Sequence, residues 1–319
     1  YADKVEQNVI DEFRRSSILL DKLTFDDTIS PTGGSNLVYG YQRLETPSTA
    51  SVRQINAEYS PNEAKRTKCT ASPVILGGSF QIDRVIAQTS GAINEMDFQI
   101  KEKTKAGANY FHNLVTNGTS ASYGTGYVPN TFDGLKKILT GKSTEMTTNI
   151  DISTSALLDS NYNALLDELD TFIALLAAKP DVLMMNSKML TKVKSAARRA
   201  GYYDRNKDDF GRTVETYNGI ILMDAGQYYN GSTTEDVVST STPSSDAYGT
   251  TDIYAAKLGL DAFHGISVDG SKMLKTYLPD LQAPGAVKTG EVELIAGAVL
   301  KNSKMAGVLK GIKLLGKTA

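Results

Sequence analysis

Residues 139–147, Leu-Thr-Gly-Lys-Ser-Thr-Glu-Met-Thr, contain the Gly-Lys-Ser/Thr sequence that closes a nucleotide-binding P-loop. In that loop, glycines let backbone N–H groups wrap the phosphates while the lysine reaches the outer ones. Gly141, Lys142 and Ser143 fit, but the first glycine of the pattern would fall at Lys136. The preceding Phe-Asp-Gly-Leu-Lys-Lys-Ile-Leu reads as a short amphipathic helix where the motif needs a strand. The Thr-rich stretch 143–155 is a poor helix opening. A solvated turn is the better reading.

Asp204, Asn206, Asp208 and Glu215 occupy positions 1, 3, 5 and 12 of a calcium-binding EF-hand register. The sharp turn of that loop needs glycine at position 6, which is Asp209, and the residues after Glu215 read as a strand, not an exiting helix. An exposed polar loop fits better than a cation site. The other chemistry-bearing residues are few. There is one cysteine, Cys69, so no disulfide framework forms within the chain. The two histidines, His112 and His264, lack a second ligand at zinc-site spacing and read as structural. Neither a GxSxG elbow nor an SxxK motif occurs. No metal, cofactor or catalytic set is predicted.

With 319 residues, 40 % hydrophobic and 22 % charged, the chain is of globular composition and long enough for one large or two ordinary domains. The net charge of −2 gives no strong field toward nucleic acid or membrane. No apolar run approaches the roughly 20 residues of a membrane span. The chain opens on Tyr1 without an initiator methionine and without a signal-peptide pattern.

The elements that would carry these residues alternate in kind. Residues 3–22 have mostly helical apolar spacing. From 37 to 86 the pattern is extended: Leu-Val-Tyr-Gly-Tyr-Gln-Arg-Leu and Ser-Val-Arg-Gln-Ile-Asn-Ala-Glu-Tyr read as strands, Ser60–Arg66 as a turn, and 67–83 as returning extended chain. Polar and charged residues outnumber apolar ones on both faces between 51 and 71. A two-stranded ribbon so built is marginal alone in water. Residues 92–117 give the clearest helix, with a stripe at Ile93, Met96, Ile100, Gly107, Phe111 and Leu114 that needs a broad sheet beneath it. An α/β block follows, with helices over 161–178 and 187–200 and strands near 181–186 and 218–226. The Ser/Thr-rich stretch 228–251 is long for a connection inside a compact domain. The C-terminal region reads as two long strands around Lys-Asn-Ser-Lys. Its lysines (301, 304, 310, 313 and 317) suit either DNA or a solvated face.

Several of these segments, taken in order, resemble the major capsid protein of tailed double-stranded DNA bacteriophages. They are VRQINAEYSPNEAKRTKCTASPVILGGSFQIDR, INEMDFQIKEKTKAGANYFHNLVTNG, DDFGRTVETYNGIILMDAG with DIYAAKLGLDAFHGISVDG, and VELIAGAVLKNSKMAGVLKGIK. The resemblance implies an α+β fold in four parts. These are an N-terminal arm (1–36), an extended β-hairpin loop (51–71), a peripheral domain (37–50, 72–135 and 287–319) with a spine helix over about 92–117, and an axial α/β domain (136–286). It implies a structural protein, not an enzyme, that self-assembles as pentamers and hexamers into an icosahedral shell around double-stranded DNA. The loop would lie on a neighbouring subunit, which makes Arg53, Glu58, Lys65, Arg66 and Lys68 the candidate inter-subunit contacts.

The same resemblance implies a portal, a scaffolding segment or maturation protease and packaged DNA as partners, with room for a decoration protein and no role for a membrane. The location implied is the virion, reached through the host cytoplasm. A leader removed by the protease would fit the missing methionine. Some members crosslink subunits through Lys–Asn bonds. Lys65 and Lys68 are candidate donors, but the acceptor and the catalytic acid do not map onto this sequence. A cellular nanocompartment shell of the same fold is the nearest alternative; an α/β enzyme with its site under 228–251 is more remote.

Overall fold

The computed structural model describes residues 18–28, 37–89, 95–120, 131–201, 204–207, 213–268 and 274–318. Most of the N-terminal arm, the start of the spine helix and Asp208 and Asp209 of the acidic cluster lie outside them. In chain order the elements are α1 (Ile18–Lys22), β1 (Phe25–Asp27), β2 (Tyr39–Thr46), β3 (Lys65–Ala71), β4 (Val74–Asp83), α2 (Arg84–Thr89), α3 (Glu95–Asn117), α4 (Leu135–Leu139) and β5 (Glu145–Thr147). The α/β block contributes α5 (Ser155–Ala174), β6 (Val182–Met185), α6 (Ser187–Ala200), β7 (Asp204–Lys207), β8 (Thr213–Tyr217) and β9 (Ile220–Asp224). The remainder is β10 (Gln227–Tyr229), β11 (Thr234–Asp236), β12 (Gly249–Ala256), β13 (Phe263–Ser267), β14 (Leu274–Tyr277), β15 (Val287–Leu300), a 3-10 turn (Ser303–Met305) and β16 (Ala306–Leu315).

Two large sheets share this chain. In the five-stranded sheet β15 is the spine: β4 runs antiparallel along one side, from Asp83 opposite Val287 to Val74 opposite Ala296, while β13 and β14 divide the other side. The parallel strand β1 extends it beyond β13, and Leu19, Leu20 and Leu23 before β1 are buried. The seven-stranded sheet has the order β5-β16-β12-β6-β9-β8-β7. Strands β13 and β14 lie with β4, whereas the C-terminal β16 lies between β5 and β12. The C-terminal strands are both present, but they enter different sheets instead of forming one hairpin.

The long helix α3 packs on β4 and β15. At about 1.5 Å per residue it spans roughly 35 Å, enough to cover the length of β4. Its buried line runs through Ile100, Thr104, Ala108, Phe111 and Val115, a spacing of four, four, three and four. Gly107 stands off this line, with open space where a side chain would be, so the expected stripe was one step out of phase there. Thr104 is tolerated inside because its hydroxyl donates to the Ile100 carbonyl at 2.8 Å. Gly118 ends the helix. A Cβ there would stand 2.4 Å from the Phe132 carbonyl oxygen and 2.5 Å from that of Leu114.

Local signals fix the second sheet's elements. Thr154 accepts from the Leu157 N–H to start α5, Asn186 accepts from the Met189 N–H to start α6, and Gly201 closes α6 with φ of 78°. Asn218 and Gly219, at φ 56° and 74°, form the two-residue turn between β8 and β9. Helices α5 and α6 cover one face with Leu165, Leu169, Phe172, Met189 and Val193. The other face, through Val182, Met184, Tyr254 and Val308, joins one apolar cluster with α3 and the five-stranded sheet. Residues 228–251 are ordered against this body: β10 and β11 pair, Val237 and Val238 are buried, and the Asn186 amide donates to Val238, Thr240 and Thr251.

Candidate assembly surface

Strands β2 and β3 form a separate two-stranded ribbon, with Tyr39 opposite Ala71 and Leu44 opposite Arg66. The stretch 51–59, which reads as a strand, is not one. Residues 47–64 contain no strand, only a turn at Ile55 and Asn56. The reason is solvent: from Leu44 to Lys68 the residues are exposed, and Val52 and Ile55 show 100 % and 91 % of their surface. Among the described residues no partner strand is offered to them. The turn is nonetheless shaped. Asn56 takes φ of 67°, Ala57 N–H donates to Gln54, and the Arg53 guanidinium donates to the Gln54 and Ala57 carbonyls while standing 5.5 Å from the Tyr59 ring centre.

The five candidate contact residues distribute along this structure and are not gathered into one site. Arg53 and Glu58 are at the tip. Lys65 opens β3 opposite Thr46, beside a register shift, while Arg66 and Lys68 stand opposite Leu44 and Gln42. Directly opposed residues share a face. Arg66 and Lys68 therefore lie on the exposed face of the ribbon, and the Thr67–Arg43, Cys69–Tyr41 and Ala71–Tyr39 pairs form the face turned toward the body.

That inner face holds the residues the sequence reading missed. Arg43 donates from Nε to the Lys301 carbonyl and from Nη2 to the Leu300 carbonyl, each at 2.9 Å. The Tyr39 hydroxyl donates to the Asp26 carboxylate at 2.7 Å, and the Lys301 ammonium stands 5.4 Å from the Tyr39 ring centre. Burial, reinforced by the bond to Asp26, raises the Tyr39 pKa far above the usual tyrosine value. Burial also raises that of Tyr41, with the Arg43 charge opposing it. The available signal was the alternation Tyr39, Tyr41, Arg43, which is a half-buried strand face whose partners are some 260 residues away in sequence.

The motifs set aside on sequence have clear structural reasons. The Gly-Lys-Ser turn lies between helix α4 and strand β5, the reverse of a P-loop's strand-then-helix order. Its Gly141 N–H already donates to the Glu145 carboxylate, which also pairs with Lys310. Of the acidic cluster, Asp204 and Asn206 lie on β7 and Glu215 on the antiparallel β8, and Glu215 is paired with Lys194. Among the described residues no group of three or more His, Cys, Asp or Glu side chains is placed to hold a metal ion, and no helix is long and apolar enough to cross a membrane. His112 and His264 are packed into the structure, and burial depresses both, His112 to about 4. Of the C-terminal lysines, Lys310 pairs with Glu145, and Lys313 and Lys317 stand 4.8 and 5.3 Å from the Tyr248 ring centre.

The described residues thus form an exposed ribbon on a body of two large sheets and the long helix α3. Residues 65–221, just under half of the chain, match the family model described as SU10 major capsid protein. The fold is that of capsid shells. It is similar to the SrpI encapsulin of Synechococcus elongatus (11 % identity, TM-score 0.64, 94 % of this chain and 89 % of that one). It is also similar to the Mycobacterium phage Ogopogo structure (13 %, 0.56, 92 % and 91 %) and the capsid of Myoviridae phage XM1 (12 %, 0.53, 89 % of each). No curated protein matches the chain in sequence. Over residues 65–221 the chain resembles the SU10 major capsid protein family, and its fold is the one these shell proteins share.

Proposed function

We propose that copies of this chain assemble as pentamers and hexamers into a closed icosahedral shell around double-stranded DNA, each ribbon lying on a neighbouring copy. The observation that carries this is the unbroken exposed run from Leu44 to Lys68, which presents Val52, Ile55 and Tyr59 to water. Burying a Val or Ile side chain stabilises by about 1.5–3 kcal/mol, and a partner chain would supply that burial. The five-stranded sheet with α3 would be the peripheral part and the seven-stranded sheet with α5 and α6 the axial part. Within this reading the protein is structural, it resides in the virion after assembly in the host cytoplasm, and a portal, a scaffolding segment or maturation protease and packaged DNA are its partners.

Electron microscopy and sedimentation of the native material test the proposal. Closed polyhedral shells with DNA inside support it, and a stable monomer or dimer would overturn it. A second reading, a cellular compartment that encloses protein, is favoured by the TM-score of 0.64 to an encapsulin. Shells filled with protein and free of nucleic acid would establish that reading instead.

A further inference from the structure

One histidine lies against the first residue of the ribbon. His264 lies in β13 opposite Val299, fully buried, and its ring meets Tyr39 edge-on with 5.7 Å between centres. Neither ring nitrogen is hydrogen-bonded, and the Ala262 carbonyl pulls only weakly on it. Tyr39 is the first residue of the ribbon. Its hydroxyl is held by Asp26 of β1, and its ring lies near the Lys301 ammonium. Lys301 and Leu300 in turn supply the carbonyls that anchor Arg43. A neutral imidazole therefore sits beneath the joint from which the whole exposed arm projects.

We propose that His264 is an acid-sensitive latch: protonating it releases the ribbon base from the body and frees the direction of the arm. The charged groups around the ring decide the sign. Lys301 repels an imidazolium, while Asp26 and Asp261 attract one; Asp26 is already occupied by the Tyr39 hydroxyl, and Asp261 is exposed to solvent. Burial is the larger effect and holds the pKa below its ordinary 6.5, with Lys301 adding to it. Lifting the ribbon wets the ring and returns it toward that ordinary value, so the lifted state binds the proton more tightly. The latch is fully closed above about 6.5 and weakens as pH falls toward the depressed value, by about tenfold per pH unit in between.

Hydrogen exchange of residues 37–46 in the full-length native protein tests this at pH 7.5 and 5, after correction for the intrinsic pH dependence of amide exchange. The expected result is additional opening at the lower pH in the wild type, growing by up to about tenfold for each pH unit below 6.5. His264→Phe keeps a buried ring but cannot take a proton, and its exchange is expected not to respond; His264→Gln is the second non-titrating variant should the first fail to fold. His112→Phe is expected to keep the response. Equal opening at both pH values in the wild type would overturn the latch. So would a response that survives in both His264 variants.

Discussion

The Arg43 guanidinium, on the second strand of the chain, bridges the carbonyls of Leu300 and Lys301 at the end of β15, each at 2.9 Å. Leu300 is the last residue of β15 and Lys301 the first beyond it, where the chain turns toward the 3-10 turn. One planar side chain thereby fixes the angle at which the ribbon leaves the five-stranded sheet. Replacing Arg43 with Ala should cost about 1–3 kcal/mol, because two acceptors lose charge-assisted bonds. Arg43→Lys keeps the charge but lacks the fork, and should recover less than half of the loss. Denaturant unfolding gives the totals, and exchange at 39–43 shows whether the loss is local to the ribbon.

The tip behaves oppositely. Val52 and Ile55 touch little of their own chain, so Val52→Ser and Ile55→Ser should leave the unfolding midpoint of the unassembled protein unchanged. Both should weaken or abolish shell formation, read by sedimentation. Normal shells from the double variant would remove the tip from the interface. A lower midpoint before assembly would mean instead that the tip packs against its own body.

Legibility followed the distance over which each element is decided. The spine helix and the strands β6 and β9 were readable because periodicity acts over a few residues. The failed P-loop was readable for the same reason: its order of helix then strand is local. Three features were not. The stretch 51–59 has a strand's composition but no strand to pair with, and pairing is a tertiary fact. The phase of the α3 stripe at Gly107 and Ala108 was set by the sheet beneath it. The division of β15 and β16 between two sheets depends on contacts hundreds of residues apart. The candidate site shows the same split. Its exposed charges, Arg53 through Lys68, were evident as an unusual polar run, whereas its anchor at Tyr39 and Arg43 depends on the far C-terminal carbonyls.

Gly107 within α3 and Gly118 just past its end make a paired test. Gly107 faces open space within a helix, so Gly107→Ala should stabilise by about 0.5–1 kcal/mol through propensity alone. Gly118→Ala forces a methyl group to within 2.4 Å of the Phe132 carbonyl oxygen and 2.5 Å of the Leu114 carbonyl oxygen, both backbone atoms, and should destabilise by about 2 kcal/mol or more. Thermal unfolding of the two variants distinguishes them by sign. Equal shifts would mean that the chain between α3 and Phe132 gives way more easily than its packing suggests.

Acid should also act at the turn that mimics a P-loop. The Lys310 ammonium, and then the Gly141 N–H, hold the Glu145 carboxyl below its usual range. A carboxylate depressed in the folded state contributes stability that is complete above its unfolded value of about 4.5 and is lost as pH falls through the lowered one. Glu145→Gln should therefore flatten the acid limb of the stability curve below pH about 4.5 while lowering the plateau at neutral pH. Because β5 pairs with β16 across this bridge, with Glu145 opposite Val308, the loss should be accompanied by faster exchange at 306–310. Lys142→Ala, which removes the residue a nucleotide would need, should change neither the curve nor the response to added ATP. A melting temperature that rises with ATP in the wild type and not in Lys142→Ala would restore the nucleotide reading that the strand order argues against.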